Sequence, residues 1–241
     1  MRKGISAYGA IALAVAFCLM GGSAQAAVVV LDDFETNEGH FALAPSFSGT
    51  STGFTAASST ADRTTEDAFR GTASERIFID DNPAAAVPTS NESWRLRFLS
   101  GSGTPANNVT IPSSGYVGYW LKTTQENLRA AIMIDDGAAL ERSSRLPIIA
   151  DGQWHLYQWD LDDAAMWDAF AGTAPNGAID ADSVTIDSLF VDVLTSAGTD
   201  VDALFFIDDV SHNAEGVIPE PTGLAVIGLG GLVVLARRRR A

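Results

Sequence analysis

Two pairs of carboxylates stand near the two ends of the central part of this sequence. Asp33 and Glu35 are two residues apart, so in an extended segment they share a face, and Asp208 and Asp209 adjoin each other late in the chain. Where the segments carrying them pair, the acids crowd together, and a cation relieves the repulsion. Carboxylate oxygens with backbone carbonyls suit calcium, which makes Asp33, Glu35, Asp208 and Asp209 the candidate metal ligands. The competing reading is that they are turn and edge residues of a very acidic chain. A second chemistry belongs to the aromatic residues, because apolar sugar faces stack on rings while polar side chains read hydroxyls. Trp94, Tyr116 and Trp120 are the candidate ligand-binding residues. Tyr116 and Trp120 fall on one face of their segment and Tyr119 on the other. Large rings at strand positions also fill sandwich interiors, so the two roles compete for each residue.

Other chemistries find no support. His40, His155 and His212 are scattered, with no His-x-x-x-His pair. His155 alternates with Tyr157 and Trp159, the pattern of a packed strand face. Gly101-Ser102-Gly103, followed by Thr-Pro, reads as a turn and not as a phosphate loop. Glycoside hydrolysis needs a proton donor and a second carboxyl at a set separation, and no pair among the many acids stands out. No catalytic residue is assigned, and the chain is read as a non-enzyme.

The elements that must position these residues are short strands. Seven runs carry strand chemistry between Gly, Pro, Asn, Asp and Ser clusters: 28–34, 94–99, 116–122, 129–134, 154–161, 184–194 and 203–210. In 94–99 Trp94, Leu96 and Phe98 share one face and Arg95 and Arg97 take the other. In 184–194 the alternation slips at Asp187-Ser188, which predicts a bulge. One helix is predicted over 164–170, capped by Asp162 or Asp163, with Met166 and Phe170 buried and Trp167 partly exposed. The stretch 46–60 reads as loop or weak edge strand. Many short strands with turn-rich connections predict a β-sandwich or jelly roll.

Both ends read as targeting segments. Arg2 and Lys3 precede an apolar stretch, and Ala24-Gln25-Ala26 offers signal peptidase a small-x-small site before Ala27. The lone Cys18 lies inside this segment and follows Phe17, which argues against a lipoprotein site. At the other end Pro219-Glu220-Pro221 precedes an uncharged apolar stretch, 223–236, and then Arg237, Arg238, Arg239 and Arg240. Such a helix is about 21 Å long, short of a hydrocarbon core of about 30 Å, and snorkelling arginines with local thinning close the gap. The arginines hold that end in the cytoplasm with the domain outside. The sequence has 15 basic and 30 acidic residues. Setting the tails aside leaves nine basic and twenty-nine acidic, a charge that repels nucleic acid and anionic lipid.

Pro-Glu-Pro, a glycine-rich span and an arginine cluster together resemble the PEP-CTERM sorting signal of Gram-negative bacteria. The resemblance implies recognition by an exosortase-type enzyme, passage through the inner membrane, and delivery to the cell surface or exopolysaccharide matrix. In the middle, Leu31-Asp32-Asp33-Phe34-Glu35 and Phe205-Phe206-Ile207-Asp208-Asp209-Val210 resemble the first and last strands of galactose-binding-like carbohydrate-binding modules. Asp151-Gly152-Gln153-Trp154-His155 is similar to a strand-opening turn in such sandwiches. This likeness implies a jelly roll with a structural calcium where the first and last strands meet. The organisation expected is therefore a signal helix over 1–26, an all-β jelly-roll sandwich over 27–216, and a sorting tail with a short transmembrane helix over 217–241. The function expected is non-catalytic binding of extracellular polysaccharide or matrix. A structural, adhesive surface protein without a small ligand is the alternative, and a polysaccharide-active enzyme the third reading.

Overall fold

The computed structural model describes residues 28–219, apart from 87, 102, 103 and 196–198. The expected signal segment, with Ala24 and Ala26, lies outside the described residues. So do Glu220, Pro221, the apolar stretch and Arg237 to Arg240. Among the described residues thirteen strands make two sheets and no long helix. They are β1 (Val29–Asp32), β2 (Thr60–Thr64), β3 (Ser74–Ile79), β4 (Arg95–Leu99), β5 (Val109–Pro112), β6 (Tyr116–Thr123) and β7 (Leu128–Asp136), then β8 (Ala139–Ser143), β9 (Leu146–Pro147), β10 (Trp154–Asp160), β11 (Trp167–Gly172), β12 (Ser183–Val193) and β13 (Ala203–Asn213). The first sheet runs β10-β6-β13-β3-β2, with β1 also on β13; the second runs β11-β8-β7-β12-β4, with β5 on β12 and β9 on β7. The chain is an all-β, two-sheet sandwich, and the first and last strands pair antiparallel as the acidic pairs required.

Alternation makes the core. Trp94, just before β4, and Leu96 and Phe98 within it face inward, as do Val117, Tyr119 and Leu121 from β6, and Phe205 and Ile207 from β13. Several interior rings with polar tips find acceptors. Trp94 Nε1 donates to the Val201 carbonyl at 2.8 Å, Trp159 Nε1 to that of Ser144 at 2.8 Å, and Tyr119 Oη to that of Ala131 at 3.0 Å. The register of β12 against β7 shifts between Ile186 and Ser188, the bulge predicted there.

The predicted helix over 164–170 is not formed. A single 3-10 turn spans Ala164–Met166, with Asp163 accepting from the Ala165 amide, and the chain then extends into β11. The edge of β8 supplies hydrogen bonds that an isolated two-turn helix cannot match. Trp167 is consequently buried, not partly exposed.

The outer face of the second sheet is closed by ion pairs. Arg95, Asp192 and Arg129 lie side by side across β4, β12 and β7. Asp192, fully buried, accepts from Arg129 Nε at 2.7 Å, Arg129 Nη2 at 2.8 Å and Arg145 Nη1 at 2.8 Å. Glu92 joins Arg129, Arg145 and Arg95 in the same network, and Arg97 grips Asp187 with two nitrogens. On the same outer face Phe190, Met133 and Ala131 are buried, with the Arg142 guanidinium 6.0 Å from the centre of the Phe190 ring.

Candidate functional site

The outer face of the first sheet carries a different surface. Register places Trp154 beside Lys122, Lys122 beside Phe206, Phe206 beside Arg76, and Arg76 beside Asp62, in one row across β10, β6, β13, β3 and β2. Because side chains alternate along a strand, each of these points away from the core that its neighbours build. Trp154 and Phe206 are half-buried, with ring centroids 6.5 Å apart and planes at 62°. Lys122 and Arg76 keep their charged ends partly in solvent beside these rings. In the next row Leu156, Trp120 and Asp208 lie together.

A strap over residues 65–73, between β2 and β3, crosses this face. Asp67 receives Trp154 Nε1 at 3.1 Å and the Lys122 ammonium, and its carbonyl accepts from Ser74 Oγ at 2.7 Å. Asp208 Oδ2 accepts from the Phe69 and Arg70 amides at 2.8 and 3.2 Å, and its Oδ1 from the Asp209 amide at 2.7 Å. Desolvation, only partly offset by these amides, pushes the Asp208 carboxyl up to about 7. Glu35 Oε1 accepts from the Thr72 and Ala73 amides at 2.8 and 2.9 Å, and its Oε2 from Thr72 Oγ1. Those amide bonds hold the Glu35 carboxyl below its ordinary value. A side chain at position 71 has no room, since a Cβ there would meet Glu35 Oε1 at 2.3 Å and Gly71 has φ +70°.

The strap and the paired end strands enclose a pocket of about 190 Å3 lined by Val30, Asp33, Glu35, Arg70, Gly71 and Asp209. Three of the four candidate metal ligands therefore share one cavity. Asp209 stands at φ +41°, within the register shift of β13 against β6, and burial raises its carboxyl, with Arg70 opposing and Asp33 and Glu35 adding to the rise. Asp208 does not share the pocket; its oxygens are spent on amides of the strap and of Asp209. Among the described residues no three acidic or imidazole side chains are already gathered as a metal shell. In this structure the counter-charge of Asp209 is Arg70, with Nε 3.2 Å from Oδ2. The oxygen donors suit calcium in kind, and their assembly round an ion requires Arg70 to give way.

The aromatic candidates separate cleanly. Trp94 is fully buried in the core and touches no surface, a correction that its sharing a face with Leu96 and Phe98 explains. Tyr116 is half-buried near Asp160, which raises its hydroxyl. Trp120 belongs to the outer face but is 6% exposed, because Phe69 lies flat on it with centroids 3.7 Å apart and planes at 11°. Phe206, Arg76 and Phe69 were not singled out from the sequence; the alternation of Phe206 between core residues Phe205 and Ile207 was the available signal. A concavity of about 450 Å3 between Leu128, Ile148, Ile149 and Leu194, with Glu126, Arg129 and Asp151 also in its lining, contains no aromatic side chain.

No protein-family model matches the chain, and no curated protein matches it. Several solved structures resemble its course, three of them as follows. One is a carbohydrate-binding module of the β-sandwich superfamily with promiscuous specificity, at 10% identity and TM-score 0.42, covering 74% of this chain and 59% of the other. The second is a xylan-binding domain of the class CBM 22, at 14% identity and TM-score 0.37, covering 81% and 99%. The third is a CBM22-1 xylan-binding domain from Paenibacillus barcinonensis, at 12% identity and TM-score 0.35, covering 80% and 98%.

Proposed function

We propose that the chain is an exported, non-catalytic surface or matrix protein whose jelly-roll sandwich binds polysaccharide on the outer face of the first sheet. The observation that carries this reading is the row Trp154, Lys122, Phe206 and Arg76: half-buried rings interleaved with hydrogen-bond donors on the outer face of the sheet. Rings present area to apolar sugar faces, and the donors between them meet hydroxyls. Two carboxyls bordering the row are engaged, Asp67 with Lys122 and Trp154 and Glu66 with Arg76. The test is depletion of the full chain by cellulose, xylan, β-1,3-glucan, alginate and dextran. Saturable binding to one polymer is expected, weakened at least tenfold in Trp154→Ala. Absence of binding to all five by folded protein refutes the platform and leaves an acidic structural surface protein.

Asp33, Glu35 and Asp209 take calcium in this reading, with the Arg70 guanidinium displaced from Asp209. An ion held by the folded state alone, at a hundred times its dissociation constant, adds about 2.7 kcal/mol, or roughly 5–10 °C in Tm for a domain of this size. Millimolar calcium is expected to raise Tm by that amount, chelator to reverse it, and Asp209→Asn to abolish the response. An unchanged Tm leaves Arg70 as the only counter-charge.

Export and sorting follow from the two end segments. Ile218 is buried, its amide donating to Gln158 Oε1 at 2.7 Å, and Asn213 Nδ2 donates to the Val217 carbonyl at 3.0 Å. The exposed Pro219, first residue of the Pro-Glu-Pro motif, follows directly on this attachment.

A further inference from the structure

One ring contact on the outer face differs from the others. Trp154 meets Phe206 and Phe69 edge-on, at 62° and 61°, as side-chain rings commonly do. Phe69 instead covers the indole of Trp120 in parallel, at 3.7 Å. That is the placement a pyranose ring takes when its apolar face stacks on an aromatic side chain. Trp120 also stands one row from Lys122, next to the Trp154–Phe206 pair, so its indole continues the platform.

The part that supplies Phe69 is attached to the sheet through polar contacts. Asp208 holds the Phe69 and Arg70 amides, Asp67 holds Lys122 and Trp154, and Arg70 reaches Asp209 with its side chain largely in solvent. Beyond Gly71, whose φ of +70° marks a turn, Glu35 fastens Thr72 and Ala73 independently. The segment 66–70 can therefore lift from the face while the strap's far end and the core stay in place. Water or sugar hydroxyls replace the polar contacts that are given up.

From this geometry we infer that Trp120 is a third ring-stacking position of the platform, filled in this structure by Phe69, and that a pyranose unit of the bound polysaccharide displaces Phe69 when the strap lifts. Phe69 is a competitor for the sugar, and Asp208 is the latch that keeps it in place. The inference rests on the platform reading above, and the experiment separates the two.

In a Trp154→Phe background Trp120 is the tryptophan left on this face, since Trp94 and Trp159 are fully buried and Trp167 nearly so. Acrylamide quenching of the full chain in that background is expected to rise at least threefold with Phe69→Ala. It is also expected to rise with Asp208→Asn, which keeps the phenyl ring but places an amide nitrogen where the strap needs an acceptor. With Trp154 restored, both variants are expected to bind the polysaccharide that depletes the wild type at least threefold more tightly, and Phe69→Ala/Trp120→Ala to lose the gain. Wild-type binding that depends on Trp154 but is equal or weaker in Phe69→Ala overturns this inference alone, because Phe69 would then be part of the platform. Quenching unchanged in Asp208→Asn overturns the latch. No polysaccharide bound by any variant, whatever the quenching, removes the platform reading and this inference with it.

Discussion

Replacing Glu75 by methionine is expected to stabilise the protein by about 3 kcal/mol at pH 7 and to flatten its pH dependence. Glu75 lies on the inward face of β3, opposite Ile207, is fully buried, and neither of its carboxyl oxygens has a hydrogen-bond partner. Its neighbour in register, Arg63, is engaged elsewhere, donating to the Phe34 and Glu35 carbonyls. Desolvation, with smaller contributions from Glu38 and Asp62, pushes the carboxyl from 4.5 up to about 9. The folded state therefore keeps a proton that the unfolded chain releases. The stability associated with Glu75 is complete below pH 4.5, falls as pH rises, and is lost by about pH 9. Each pH unit between these limits removes about 1.4 kcal/mol. Urea unfolding from pH 5 to 9 measures the slope, which is expected to shrink by that amount in Glu75→Met. Glu75→Gln should flatten the slope equally but stabilise less, since its buried amide also lacks partners. A wild-type slope that survives in both variants shows that Glu75 ionises in the folded state.

The opposite sign is expected on the second sheet. Asp192→Leu leaves Arg129 and Arg145 without the carboxylate that receives both of them at 2.7–2.8 Å. Removing one partner of a buried ion network costs roughly 3–5 kcal/mol, much of it the cost of the charge left behind. For a domain of this size that is a fall in Tm of about 10 °C or more. Asp192→Leu/Arg129→Met, which leaves Arg145 paired with Glu92, is expected to recover part of the loss. A double variant no better than Asp192→Leu would show that the cost lies in packing over Phe190 and Met133 and not in the unpaired charge.

These two residues also mark where sequence reading succeeded and where it stopped. The strand around Asp192 was visible because Val184, Ile186, Leu189, Val191 and Val193 alternate about a legible slip at Asp187-Ser188. The strand around Glu75 was not, because one of its inward positions carries a carboxyl. The same holds for β8, whose inward Glu141 is satisfied by the Asn176 and Gly177 amides. In β2 the inward positions are Ala61 and Arg63, which give no apolar period. For β11 the spacing of Met166 and Phe170 suggested a helical face, and only the free edge of β8 decides otherwise. The candidate metal site was legible as far as pairing of the first and last strands could take it. Asp208 and Asp209 diverge because Asp209 takes φ +41° within the register shift of β13 against β6, and no pattern told which of them turns to the pocket. The ring platform was partly legible in Trp120. Phe69 was not, since it comes from an irregular strap that the sheet face alone orders.

The attachment of Ile218 determines how the sandwich bears load. A pull on the chain beyond Ile218 first meets the Gln158 and Asn213 contacts, which act as a short sacrificial link. Tension then passes into β13, which is bonded to β6 along one edge and to β3 and β1 along the other. Force along a strand held on both edges shears its hydrogen bonds together, whereas force across an edge strand unzips them one at a time. The last strand, held on both edges, thus resists extension through that end by shear of its whole ladder.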